Sequence, residues 1–230
     1  MKILLYYSQR KKAEAKELAR KYGFCLEGEN PDIILCYGGD GTFLKAEADY
    51  PGIPKAIIKG SQICKQCSSL SNEEVIEKIK KKKYKIKKMT KIEARAEGKV
   101  LRAINDIIVH NHDPRHAIRY MLSVNGKQIG GTIIGDGIVV ATPFGASGYY
   151  RSITDSVFNI GLGLAFNNST EASDHLVLDD DSKILLKIIR GPATVYADNQ
   201  KDSIVLKDGD EVEILKSSEQ ALLIYCEPYS

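Results

Sequence analysis

The sequence predicts an α/β domain with a parallel sheet, followed by a β-rich, sandwich-like domain. Two observations carry that expectation. As far as Tyr84, short apolar runs alternate with stretches of strong helix formers, the pattern of strands crossing over through helices. Beyond Tyr84 the runs become β-rich and are broken by Asn-Gly, Gly-Pro and Asp-Gly turns. The boundaries that follow are 1–84 for the α/β domain and 85–230 for the β-rich domain.

Each element of the first part has a local reason. "KILLYY" is a short buried-strand run, and "KKAEAKELARKYG" is a helix that stops at Gly23. "DIILCY" is a second strand, "GTFLKAEADY" a helix, and "PKAIIKG" a third strand. "SNEEVIEKIKKKKY" opens with Ser71 or Asn72 as N-cap and acids in its first turn, with lysines in its last turn, as the helix dipole prefers. In the second part, the strand-like runs from "YKIKKMTKIEARAEG" to "ALLIYCEP" are interrupted by one expected helix just after Pro143.

Composition narrows the function classes. The 230 residues are 43% hydrophobic and 27% charged, ordinary values for a globular chain. The net charge of +3 gives no reason to expect nucleic acid as a partner. "MKILLYYSQRKK" has too short an apolar run, Ile3 to Tyr7, for a secretory signal. No stretch approaches the roughly 18 apolar residues of a membrane helix. The expectation is a cytoplasmic protein without a membrane partner. Five cysteines, an odd number, fit a reducing compartment, and the single CxxC of Cys64 and Cys67 reads as unpaired structural thiols rather than a redox pair.

The chemistry concentrates in "GGDGT". Gly38, Gly39, Gly41 and Thr42 surround Asp40 where a buried strand ends and a helix begins, at the sheet edge where open α/β folds bind ligands. Main-chain N–H groups and a helix N-terminus suit phosphate there. Asp40 is placed to accept a proton from an attacking hydroxyl or to hold a metal ion. The bland alternative is an Asp helix cap in a tight turn. The loop is neither GxxxxGK[ST] nor GxGxxG.

This loop resembles the GGDGT signature of a kinase superfamily containing NAD kinases, lipid kinases and, as GGDGS, phosphofructokinases. Two further segments narrow the resemblance. "RAINDIIVHN" carries Asn105-Asp106 in a strand-like run, and "GDGIVVATPFGASGYYRS" carries Asp136, Thr142, Gly145, Ser147 and Tyr149. In order and spacing these look like the Asn-Glu pair, the GDG and the TPxGSTAY-like segment of the NAD kinase family. "VYADNQ" places Asp198 where that family has a late Asp-Gly.

The resemblance implies a Rossmann-like first domain and a second domain that binds NAD and forms oligomers, a homodimer or homotetramer. It implies phosphorylation of the adenosine 2′-hydroxyl of NAD to give NADP, with ATP or polyphosphate as donor and Mg²⁺ or another divalent cation. Asp40 would be the catalytic acid–base residue, and Gly38, Gly39, Gly41 and Thr42 would shape the phosphate-binding turn. Asn105, Asp106, Asp136, Thr142, Ser147, Tyr149 and Asp198 would bind NAD. Tyr149 would stack on the adenine and Ser147 hydrogen-bond to it, and Asp136 would face the nicotinamide end. Mg²⁺ would be held mainly by donor phosphates, so no metal-ligand residues are assigned. Alternatives on the same fold are a kinase of lipid or sugar hydroxyls and a non-catalytic NAD(P)-binding sensor.

The chain departs from the family pattern in four places, one of them a Gly-Gly missing after the STAY-like segment, in "RSITDSVF". Asp106 replaces a glutamate, and Ala146 and Gly148 alter the STAY-like segment. The family's GVNxGxLGFL run is rewritten as "IIKGSQICKQCSSL", which bears on substrate or donor preference. Elsewhere, His110, His112 and His116 in "VHNHDPRH" read as a solvated loop rather than a metal site, and the lysine-rich "KIKKKKYKIKK" as a solvated helix end and edge strand.

Overall fold

The structure is a computed structural model that describes residues 1–61, 64–170 and 175–226. Along the chain it runs β1 (Ile3–Tyr7), α1 (Lys12–Tyr22), β2 (Ile33–Gly38), α2 (Asp40–Asp49), β3 (Lys55–Lys59) and α3 (Asn72–Lys80). Then follow β4 (Lys85–Ala96), β5 (Lys99–Ala103), β6 (Asp106–Asn111), β7 (Ile118–Val124), β8 (Lys127–Gly135) and β9 (Gly137–Ala141). After α4 (Tyr149–Thr154) come β10 (Leu162–Asn167), β11 (His175–Leu178), β12 (Ile184–Arg190), β13 (Ala193–Ala197), β14 (Ser203–Leu206) and β15 (Glu211–Tyr225). The chain forms two compact units, one of Met1–Met89 with the stretch from Gln220 onward, the other of Thr90–Glu219.

In the first unit β1, β2 and β3 are parallel, and the end of β15 pairs with β3 in the same sense through Leu223 and Ile224. Their inward residues, among them Leu5, Leu35, Ile58 and Ile224, share one core with Ala15 and Ala19 of α1 and Val75, Ile76 and Ile79 of α3. Gly23 ends α1 in the left-handed region (φ 73°), which costs glycine least. Ser71 starts α3 with a full capping box. Its hydroxyl accepts the Glu74 N–H, and the Glu74 carboxylate accepts the Ser71 N–H.

In the second unit the ladders among β4–β14 and that of β12 with β15 are antiparallel, and they form two sheets. One runs β11-β10-β9-β6-β13-β14, and the other takes in β8, β7, β12 and the first part of β15, with the β4–β5 hairpin attached. Ile107, Val109, Ile138 and Val140 from the first meet Tyr120, Leu122, Ile184 and Leu186 from the second in one core, a β-sandwich. The Asn-Gly turn joins β7 to β8 with both residues left-handed, Asn125 at 52° and Gly126 at 77°, the twist a two-residue hairpin needs.

Two expectations need correction. The helix expected just after Pro143 begins only at Tyr149, because the intervening residues turn back on themselves, Gly148 N–H donating to Gly145 O at 2.8 Å. Cys64 and Cys67, read as unpaired thiols, form a disulfide, since a turn brings their Cα atoms to 5.5 Å. Cys25, Cys36 and Cys226 are free. No helix among the described residues is long and apolar enough to cross a membrane.

Candidate active site

In the first unit, β2 ends at Gly38, Gly39 is the N-cap, and Asp40 is the first residue of α2. None of the three loop glycines has a left-handed φ, so their service here is room rather than unusual backbone angles. At Gly38 the need is explicit, because a Cβ there would lie 2.1 Å from the Thr42 hydroxyl oxygen. Behind the loop, α2 is tied to β3 inside the core, where the Lys55 ammonium donates to Glu47 at 2.6 Å and to the carbonyls of Tyr50 and Ile53. The far end of α2, rather than its start, is therefore anchored in the core.

The Asp40 carboxylate does not cap its own helix. It turns outward and accepts the main-chain N–H groups of Lys65, at 2.9 Å to Oδ2, and Gln66, at 3.1 Å to Oδ1. The sulfur of Cys64 lies 3.5 Å from Oδ1. The helix-cap alternative for Asp40 accordingly has no support from its contacts.

In the second unit two groups of expected residues assemble. Asn105 sits in the bend between β5 and β6, and Asp106 opens β6, so the pair stands at a strand entrance rather than inside a strand. Asp198, itself left-handed (φ 48°), gathers this bend. Its carboxylate accepts the N–H groups of Ile104 (2.9 Å), Asn105 (2.8 Å) and Asp106 (3.2 Å), and its own N–H donates to Asp106 O. From the other side Thr142 N–H donates to Asn105 O at 2.9 Å, and the buried Thr142 hydroxyl donates to Ile104 O while accepting from Phe144 and Gly145. Gly145 packs so closely that a Cβ would fall 2.2 Å from Asn105 O.

Two carboxylates thus share one end of this group. Burial, and then the charge of Asp198, raise Asp106 to about 7. Burial also raises Asp198, to about 6, against the pull of its three N–H partners and of Lys91. Near neutral pH the group shares protons that isolated carboxyls would have lost.

The second group forms around Asp136. Asn111 donates to it at 3.1 Å and Asn168 at 2.6 Å, while the neighbouring Asn167 donates to the Tyr149 hydroxyl at 3.1 Å. Ser147 lies half-buried in the turn leading to Tyr149. The three asparagines were not singled out from sequence; the Asn-Asn pair closing β10 was the available signal. The histidines go separate ways: His112 to the Thr194 hydroxyl, His110 to Asn111 O and His116 to Asp113. Among the described residues, no three His, Cys, Asp or Glu side chains come together as a metal site.

A glycine-rich turn with one outward carboxylate at the carboxyl end of a parallel sheet, on a chain that adds a β-sandwich, marks a ligand-binding α/β protein with an appended β domain. Residues 104–226 match the ATP-NAD kinase C-terminal domain model, just over half of the sequence, and the chain belongs to the NAD kinase family of enzymes. It is 28% identical to the NAD kinase of Sulfurisphaera tokodaii over 223 residues, covering 91% of this chain and 87% of that one. It is 30% identical to that of Carboxydothermus hydrogenoformans over 213 residues, covering 85% and 75%. Among solved structures it superposes on an Archaeoglobus fulgidus NAD kinase in complex with ATP, with a TM-score of 0.79 at 22% identity over 99% of this chain and 94% of that one. It also superposes on yeast NADH kinase complexed with NADH, with a TM-score of 0.77 at 17% identity over 99% and 84%. At these identities the two superpositions speak to the fold.

Proposed function

We propose that this protein transfers the γ-phosphoryl group of ATP to the 2′-hydroxyl of the adenosine ribose of NAD, giving NADP and ADP. The observation that carries the reading is Asp40, an outward carboxylate on the first turn of α2, in a loop whose Gly38 is kept small by Thr42. Asp40 takes the proton of the 2′-hydroxyl as the oxygen's electron pair attacks phosphorus, and the bond to the β-phosphate oxygen breaks. Gly38, Gly39, Gly41 and Thr42 receive the donor phosphates at the helix start.

Asn105, Asp106, Asp136, Thr142, Ser147 and Tyr149 are assigned to the NAD molecule. Within that set Thr142 works by shaping the turn, since its hydroxyl is committed to main-chain partners. Asp198 acts through Asn105 and Asp106, whose N–H groups it holds. A divalent ion such as Mg²⁺ fits a loop offering one carboxylate if donor phosphates supply most of its ligands, and its chemistry is to neutralise charge on them. We assign phosphate handling to 1–84 and NAD binding with self-association, as a homodimer or homotetramer, to 85–230. The working compartment is the cytoplasm.

Purified protein given NAD, Mg²⁺ and either ATP or polyphosphate tests the reading, with NADP as readout and Asp40→Asn as control. NADP from the wild type alone supports it and identifies the donor. Binding of NAD without NADP formation would replace it with a sensor.

A further inference from the structure

The 59–70 segment, where the chain departs most from its family's pattern, is also the segment that touches Asp40. Its CxxC is bridged, and the two residues inside the bridge, Lys65 and Gln66, aim both N–H groups at the same carboxylate. The bridge's own sulfur, on Cys64, covers the Oδ1 side at 3.5 Å. A disulfide sulfur has no proton to donate, so that contact is packing rather than a hydrogen bond. Asp40 thus meets a small ring that it does not belong to.

We propose that Cys64 and Cys67 form a thiol–disulfide exchange site that sets the availability of Asp40, and that its reaction partner is a reduced dithiol. With the ring closed, the short loop fixes the dihedrals of Lys65 and Gln66, and both carboxylate oxygens are occupied by main-chain donors. With the ring open, those residues regain conformational freedom, and holding two N–H groups on one carboxylate costs entropy that the closed ring had already removed. The bridged form is the restrained one and the dithiol form the active one.

The exchange balances without any other reactant. A thiolate of the dithiol attacks one sulfur of the bridge, the Cys64–Cys67 bond breaks, and the expelled sulfur leaves as a thiolate that takes up a proton. The second thiol of the partner, as thiolate, then attacks the mixed disulfide, releasing the other cysteine, which is protonated in turn. Two electrons pass to this protein, and the partner leaves as a disulfide. Both cysteines are half-buried and the two residues between them exposed, so the ring faces solvent on one side.

The test uses the full chain in three forms: oxidised with diamide, reduced with dithiothreitol, and the Cys64→Ser/Cys67→Ser variant. Because the activity readout rests on the kinase reading, amide hydrogen exchange at Lys65 and Gln66 is measured in parallel. On reduction the free-thiol count should rise by the two bridged cysteines. NADP formation should rise roughly tenfold, the effect of freeing one hydrogen bond to a charged group, and both amides should exchange faster. The variant should run at the reduced rate and ignore dithiothreitol. An unchanged thiol count, an unchanged rate after the thiols appear, or a variant that still responds to reductant each overturns the proposal. If no form makes NADP, the kinase reading fails instead, and exchange alone decides: faster amides on reduction uphold the coupling, unchanged amides overturn it. Adding a thioredoxin-type protein in place of dithiothreitol separates a protein dithiol from a small one.

Discussion

Glu47 and Lys55 meet at 2.6 Å with 2% and 0% of their side chains exposed, an ion pair inside the first unit's core. The pair joins the last turns of α2 to the start of β3. Glu47 also accepts the Gly52 N–H, so the whole connection between helix and strand is fastened to these two side chains. Breaking one partner strands the other as a buried charge, which costs far more than the intact pair contributes.

Lys55→Met should therefore destabilise the protein by about 3–5 kcal/mol, read from urea denaturation. Adding Glu47→Gln should recover part of that loss, because the leftover charge is gone. Equal stability of the single and double variants would show that the buried charge is not the cause.

Asp40→Asn keeps the side chain's shape and its place on α2 but removes the proton acceptor. Turnover should fall by roughly 10²–10⁴-fold, with the unfolding midpoint and NAD affinity close to wild type. Undiminished NADP formation in this variant would remove Asp40 from the mechanism.

Gly145→Ala tests whether the Asn105 bend is a site or only a turn. The new Cβ meets the main-chain Asn105 O at 2.2 Å, with no flexible side chain to give way. A stability cost of about 1–3 kcal/mol is expected from the forced shift. The bend that presents Asn105 and Asp106 must move, so NAD should bind more weakly in direct calorimetry while ATP binding holds.

Asp106 gives the pH dependence a definite sign. Its pKa rises from 3.8 in the unfolded chain to about 7 when folded, through burial first and Asp198 second. The folded state thus binds a proton that the unfolded state releases, so this contribution to stability is complete below about pH 4 and lost as pH climbs to about 7. Asp198, raised to about 6, acts in the same direction over a slightly lower range. Asp106→Asn should lose less thermal stability than wild type between about pH 4 and 7, and bind NAD less well throughout. Parallel pH profiles for the two proteins would contradict the raised value.

Much of this architecture could be read from the chain because the deciding forces are local. The strand–helix alternation, the Ser71 capping box and the Asn125-Gly126 turn each depend on a few adjacent residues. Asp40 was legible because its glycines are adjacent to it. What encloses Asp40 was not, since Lys65 and Gln66 act through main-chain N–H groups that any non-proline residue carries. Asn111, Asn167 and Asn168 hid for a related reason, as asparagine beside a strand end reads as a turn former. The bond between Cys64 and Cys67 went against the expectation drawn from an odd cysteine count, which weighs the compartment and not the geometry of one turn.

The far end of β15 has a consequence for synthesis. β3 pairs with β2 on one side, and on the other with Leu223 and Ile224, residues translated after the strands of the sandwich. While the ribosome is still building the sandwich, the N-terminal sheet has β3 as a bare edge, an apolar strand whose N–H and C=O groups are open to any passing segment. The parallel sheet thus starts to form before the sandwich and is completed after it, and for that interval its open edge is a hazard that fast folding would limit.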